Sequence, residues 1–137
     1  MRAAAPLLLL ALAACSPGSP EARVRKAFDA AVAAVEKGDA AGAAAVLSPK
    51  FLGPEGMDRA GARLYLLGVL RGRRVGVTVL GNRIEAGERE ATQTVDLLFT
   101  SRGGGGLLPD DQGRRTLVIR WEARDGAWLV REVQSGA

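Results

Sequence analysis

The sequence contains no histidine and a single cysteine, Cys15, among its 137 residues. Without histidine the chain has no imidazole general base, no histidine-ligated metal and no Ser-His-Asp triad. A lone cysteine cannot form a disulfide within the chain. Aromatic residues are scarce as well, with two Trp, one Tyr and three Phe. We therefore predict no cofactor and no metal site.

An apolar run long enough for a permanent transmembrane helix is also missing from the sequence. The run from Leu7 to Ala14 is much shorter than the roughly 20 residues that span a bilayer. It follows Arg2 and ends in Leu12-Ala13-Ala14-Cys15, which resembles the lipobox of bacterial lipoproteins. The resemblance implies a signal peptide at 1–14, acylation of Cys15 with chains such as palmitate, and a lipidated tether at 15–20. The alternative is an ordinary signal peptide with an incidental cysteine.

The charge balance is a mild basic surplus, formally +4 for the whole chain. Cleavage before Cys15 would remove Arg2, leaving 18 basic and 15 acidic side chains and a net charge of +3. Export excludes nucleic acid as a partner and predicts a location on the periplasmic side of the cell envelope. Ser16 stands after the cysteine in place of Asp, which favours the outer membrane over the inner one.

The segment after the tether is patterned as three helices. Ser19 caps a helix from Pro20 that ends at Gly38, with an apolar stripe from Val24 to Val35. Asp39 caps a second helix, 40–47, ended by Ser48-Pro49. Asp58 begins a third helix that runs to about Leu70, and its predicted core residues are Ala60, Leu64, Leu67 and Leu70.

From Val75 the apolar period changes from 3.6 to 2, which indicates strands. The four predicted strands are 75–85, 91–100, 116–124 and 127–134, with a glycine-rich loop at 101–113. Asp125-Gly126 predicts a tight hairpin between the last two. The expected fold class is α+β, with three N-terminal helices packed on a curved antiparallel sheet of about four strands.

The order and spacing of several segments resemble the nuclear-transport-factor-2-like superfamily, which includes ketosteroid isomerase and scytalone dehydratase. The matching segments, within a domain at 21–135, are Glu36-Lys37-Gly38-Asp39-Ala40, 46–51, 58–70 and 121–130. The resemblance implies a cone-shaped, cystatin-like fold, often with a pocket on the concave face of the sheet. Strand alternation assigns to that face Gln93, Val95, Leu97, Phe99, Leu117, Ile119, Trp121, Trp128 and Val130.

The candidate site follows from this face. The predicted ligand-pocket residues are Tyr65, Gln93, Phe99, Trp121 and Trp128, each of which could equally serve only the core. Catalytic members usually use an acid–base residue in the pocket, and the candidates here are Glu132, Asp96 and Tyr65. Glu132 shares the parity of Trp128 and is the better inward carboxylate, although its place near the end of the last strand favours a solvated rim. Asp96 is expected to point outward and pair with Arg120.

No acid–base constellation stands out, so we expect a non-catalytic, membrane-anchored domain that binds a small apolar ligand or an envelope protein. The first alternative is an isomerase or dehydratase that uses a pocket carboxylate. The second is a homodimeric assembly module, because four apolar residues share the supposed outer sheet face. These are Leu98, Val118, Leu129 and Val133. A basic cluster at Arg71, Arg73 and Arg74, with Arg114 and Arg115, could contact lipid phosphates or be a solvated face.

Overall fold

A computed structural model describes residues 18–102 and 113–136 of the chain. The predicted signal peptide, Cys15 and most of the tether lie outside the described residues, as does most of the predicted glycine-rich loop. Within the described part, no helix is both long enough and apolar enough to cross a bilayer.

The three predicted helices are present, and the predicted caps form at each N-terminus. Their bounds are α1 Pro20–Glu36, α2 Ala40–Ala44 and α3 Arg59–Leu70. The side chains of Ser19, Asp39 and Asp58 accept hydrogen bonds from backbone amides three residues later, at 3.1, 2.9 and 2.8 Å. These bonds satisfy amides that have no partner inside the helix, so the helix starts are set by local sequence.

The sheet has five strands, one more than predicted. The strands are β1 Leu47–Leu52, β2 Arg74–Ala86, β3 Glu90–Arg102, β4 Arg114–Arg124 and β5 Ala127–Ser135. They lie in the order β1-β5-β4-β3-β2. The pairs β2–β3, β3–β4 and β4–β5 are antiparallel. Asp125 and Gly126, with φ angles of 52° and 79°, form the predicted β4–β5 turn, and such angles suit a two-residue hairpin.

The additional strand β1 begins at Leu47, the last residue of the predicted second helix, and extends to Leu52. Helix α2 stops at Ala44, and Leu47 pairs with Val130 of β5 in parallel. The backbone amide of Val130 donates to the carbonyl of Val46 over 2.7 Å. Pro49 is accommodated because β1 is an edge strand, where a missing N–H costs no ladder bond.

The buried face of α3 differs from the predicted one. Ala62 and Leu70 are buried, and Leu66 packs against the core between them. Leu64 and Leu67, predicted in the core, are 69% and 49% exposed. Leu70 alone belongs to both the predicted and the observed buried face. The sequence carries two apolar stripes on this helix, and only packing against the sheet selects one of them.

The core lies between the helices and the inner face of the sheet. Every residue that alternation assigned to this face is buried or packs against the core. The helices contribute Val24 and Phe28 of α1 and Ala62 of α3. The architecture is therefore α+β, with three helices on a curved sheet, as expected in class but with five strands.

Candidate functional site

The polar centre of the interior is Gln93, which has no exposed surface. The indole Nε1–H of Trp121 donates to Gln93 Oε1 over 3.0 Å. Gln93 Nε2 in turn donates to Asn82 Oδ1 over 3.0 Å. Buried amides and indoles of this kind are normally hydrogen-bonded. The side-chain amide of Gln93 is therefore hydrogen-bonded within the protein, at the position predicted for the ligand pocket.

The other predicted pocket residues divide into core and surface. Trp121 and Trp128 are buried members of the main apolar cluster, and Phe99 packs against it partly buried. Tyr65 is 61% exposed on α3, so its predicted inward position is wrong. The face of α3 that meets the sheet carries Ala62 and Leu66, and Tyr65 lies outside it.

The predicted inward direction of Glu132 is also wrong, because β5 contains a bulge at Arg131. Trp121 pairs with Val130, but the preceding Arg120 pairs with Glu132, so one residue of β5 is skipped. The skip reverses the alternation for the rest of the strand. Glu132 consequently shares the outer face with Arg120, and its Oε1 accepts from Gln134 Nε2.

The same bulge turns Val133 inward. Val133 pairs with Ile119 and packs against the core. Its predicted place on the outer face is therefore wrong. Three of the four apolar residues expected on the outer face remain there, namely Leu98, Val118 and Leu129, and all three are half-buried.

Asp96 lies on the outer sheet face, but its partners are not the predicted one. It is opposite Thr116, whose hydroxyl donates to Asp96 Oδ1, and Arg114 Nη2 lies 3.6 Å from Asp96 Oδ2. Arg120 instead pairs with Thr92 of β3. The antiparallel register of β3 and β4 determines which residue lies opposite Asp96, and that register depends on where the connection between the two strands begins.

The three predicted catalytic candidates are therefore separated. Glu132 and Asp96 lie on the outer sheet face and Tyr65 is exposed on α3. Among the described residues, the buried polar side chains are Ser48 and Gln93. Neither of these titrates near neutral pH. In the same part of the chain, no group of three Asp, Glu, Cys or His residues is placed to hold a metal ion.

Sequence reasoning missed a polar cluster around Glu122 on the outer face. The buried Ser48 hydroxyl donates to Glu122 Oε1 over 2.9 Å. Arg124 Nη1 is 3.2 Å from the same oxygen, and Arg131 Nε is 3.7 Å from Glu122 Oε2. Glu122 thus accepts from the serine hydroxyl and from one guanidinium group and lies within ion-pair distance of a second. The cluster joins β1, β4 and β5, and the strand β1 that supplies Ser48 was itself unpredicted.

An exposed apolar surface lies on the side of α3 opposite the buried Ala62. We name it the outer helix face, and it consists of Ala60, Leu64, Leu67, Gly68 and Arg71. Two adjoining surface grooves, of about 540 and 700 Å³, share Leu64 and Leu67 in their lining. The charged residues in these linings are Arg71 in one groove and Arg59 and Arg63 in the other.

No protein-family model matches the sequence, and no curated protein sequence does either. Several solved structures share the fold. One is an NTF2-like protein from Cytophaga hutchinsonii, at 13% identity and a TM-score of 0.65, covering 83% of this chain and 94% of that one. Another, from Exiguobacterium sibiricum, is provisionally described as a Ca/calmodulin-dependent kinase II association domain, at 16% identity, TM-score 0.71 and coverages of 88% and 94%.

A third similar structure, from Novosphingobium aromaticivorans, is provisionally described as an aromatic ring hydroxylase. Its identity is 10%, its TM-score 0.71, and the alignment covers 85% of this chain and 87% of that one. Proteins with such different descriptions share the fold, and a fold does not determine an activity. The domain has the NTF2-like fold.

Proposed function

We propose that this chain is a lipid-anchored, non-catalytic domain of the bacterial cell envelope that binds a protein partner through its surface. The observation that carries this proposal is the chemistry of the interior. Among the described residues, Ser48 and Gln93 are the buried polar side chains. General acid–base catalysis requires a group that exchanges a proton at the reacting centre. Neither a serine hydroxyl paired to Glu122 nor a primary amide supplies one.

The anchoring part of the proposal rests on the sequence Leu12-Ala13-Ala14-Cys15. Acylation at Cys15 would place several chains in the bilayer, and more than one chain is needed for stable attachment. Ser16 after the cysteine favours the outer membrane, with the domain on its periplasmic side.

An isomerase or dehydratase would need a carboxylate and a hydrogen-bond donor in one enclosed site. Glu132 and Asp96 lie on the outer sheet face, and Tyr65 is exposed on α3. A small apolar ligand would need interior space beside Trp121 and Trp128. Those two side chains instead pack in the apolar cluster. Both alternatives therefore have less support than a surface-binding role.

A homodimeric assembly module is a second candidate, favoured by the outer sheet face. Leu98, Val118 and Leu129 are half-buried on that face. They are spread along it, since Leu98 lies opposite Arg114 and Leu129 opposite Glu122, each four residues from Val118 on β4. One structure of the same fold is provisionally described as an association domain. A second copy of the chain would then be the protein partner.

Site-specific photo-crosslinking in living cells tests the proposal. A photoreactive phenylalanine replaces Val118 on the outer sheet face of the full acylated chain. The matched control carries it at Glu88, an exposed residue in the β2–β3 turn. We expect one discrete crosslinked protein from position 118 and none from position 88. A crosslinked dimer of the chain would select the assembly role.

Equal labelling at the two positions would contradict a specific partner surface. Native mass spectrometry of the full acylated protein provides the second measurement. A small molecule retained in stoichiometric amount would contradict the protein-binding role and favour a ligand pocket. Its absence together with a position-specific crosslink is the expected result.

A further inference from the structure

Helix α3 is apolar on two opposite sides. The inner side carries Ala62, Leu66 and Leu70, which pack against the core. The outer helix face exposes Leu64 and Leu67 to the extent of 69% and 49% of their surface. In globular domains the apolar face of a helix is normally covered. The outer helix face therefore has the composition of a covered surface. Helix α2 lines one side of its grooves through Ala40, Ala41 and Ala44, yet Leu64 and Leu67 stay exposed.

The charged residues that line the two grooves have one sign. The segment 59–71 contains three arginines, Arg59, Arg63 and Arg71, and no acidic residue. All three arginines are exposed. Asp58 precedes the segment, but its side chain accepts the amide of Gly61 as the helix cap. A helix surface that combines leucines with arginines matches the boundary between lipid headgroups and acyl chains.

We propose that the outer helix face lies on the surface of an anionic bilayer, so that the lipidated domain is held with its helix layer against the membrane. This inference rests on the lipid anchor of the proposed function. Leu64 and Leu67 enter the headgroup region, and Arg59, Arg63 and Arg71 contact lipid phosphates. The membrane thus fixes the orientation of the domain in addition to anchoring it.

The position of the anchor makes this orientation accessible. Cys15 and Pro20 are five residues apart, a distance of at most about 18 Å when extended. Helix α1 has 17 residues and is about 25 Å long. Gly38, just beyond its end, lines the same groove as Leu64 and Arg71. A domain lying on its helix layer therefore brings both the tether and the outer helix face to the bilayer.

A bilayer explains this surface better than a protein partner does. A short tether raises the effective concentration of the face at the membrane, so that even weak contacts are occupied. Helices cover the inner side of the sheet, so a helix layer on the membrane leaves the outer sheet face directed away from it. That orientation keeps Leu98, Val118 and Leu129 accessible to the protein partner of the proposed function.

The test uses the full acylated protein reconstituted into vesicles of 70% phosphatidylcholine and 30% phosphatidylglycerol, and into pure phosphatidylcholine vesicles. A Gly68→Cys variant carries an environment-sensitive fluorophore on the outer helix face. A side chain at this position meets nothing within 4 Å, and Leu64 and Leu67 stay intact. Thr94→Cys on the exposed outer sheet face is the matched control. The acylated Cys15 does not react with the label.

We expect spin-labelled lipids to quench the probe at residue 68 and to leave the probe at residue 94 unchanged. Quenching at residue 68 should be stronger in the anionic vesicles. Replacing Arg63 and Arg71 by Gln should lower the ratio of face-down to face-up molecules by about fivefold per arginine. Replacing Leu64 and Leu67 by Gln should abolish the quenching, while the fluorescence of the buried Trp121 and Trp128 reports that the fold is retained.

Vesicle flotation separates this inference from the proposed function. A chain that does not float overturns the anchor and this orientation together. A chain that floats but leaves residue 68 as water-exposed as residue 94 overturns the orientation alone. Protection of residue 68 from water without quenching by the lipid probes identifies a protein, such as a second copy, on the face and also overturns the inference.

Discussion

The hydroxyl of Ser48 donates a 2.9 Å hydrogen bond to Glu122 across 74 positions of sequence. Ser48 lies on β1 and Glu122 on β4, so the bond passes over the intervening β5. The same serine oxygen accepts the amide of Lys50 over 3.1 Å. The pair therefore secures the parallel edge strand, which no hairpin connects to its neighbour.

Removing this hydroxyl should destabilise the domain. Ser48→Ala should lower the free energy of unfolding by about 1–2 kcal/mol, because a buried bond to a charged acceptor is lost. Glu122→Gln, the control, keeps an acceptor for Ser48 and weakens only ion pairs to partly exposed arginines, so it should cost less. Chemical denaturation followed by tryptophan fluorescence measures both. A larger loss for Glu122→Gln would contradict the assigned role.

The interior amide should contribute to stability in a comparable way. Gln93→Leu has a similar volume but leaves the Trp121 indole N–H without an acceptor, which should cost about 1–3 kcal/mol. Thr94→Val, on the neighbouring exposed position, should change the stability by less than about 0.5 kcal/mol. Equal effects of the two substitutions in a denaturation experiment would show that the Gln93 contact is dispensable.

The two apolar sides of α3 should respond differently to the same substitution. Leu66→Gln places an amide against the core and should cost at least about 2 kcal/mol. Leu64→Gln replaces a side chain that is 69% exposed and should change stability by less than about 0.5 kcal/mol. Thermal unfolding of the two purified variants distinguishes the faces. A destabilised Leu64→Gln variant would mean that Leu64 packs inside the domain.

The anchor is tested by metabolic labelling with palmitate. Cys15→Ser should remove the label and leave the chain with its N-terminal segment uncleaved, because the modified cysteine is the residue before which cleavage occurs. Ser16→Asp is the control, and it should keep the label while moving the protein from the outer to the inner membrane fraction. A labelled Cys15→Ser chain would disprove acylation at this cysteine.

The sequence by itself determined the features that depend on neighbouring residues. The caps at Ser19, Asp39 and Asp58 need only a side-chain oxygen and an amide three residues later. The Asp125-Gly126 turn needs only residues that tolerate positive φ. Strand alternation likewise assigned Gln93 and Trp121 to the buried face, since parity holds wherever a strand is regular.

Tertiary structure decided what depends on residues distant in the chain. Strand β1 exists because Leu47 pairs with Val130, and no local pattern contains that partner. The bulge at Arg131 turned Glu132 outward and Val133 inward, because one unpaired residue reverses every later side chain. On α3 two apolar stripes competed, and contact with the sheet buried Leu66 and left Leu64 exposed. The candidate site is therefore on the surface and not in an enclosed pocket. Burial depends on how all the elements pack together, which the periodicity of one segment does not specify.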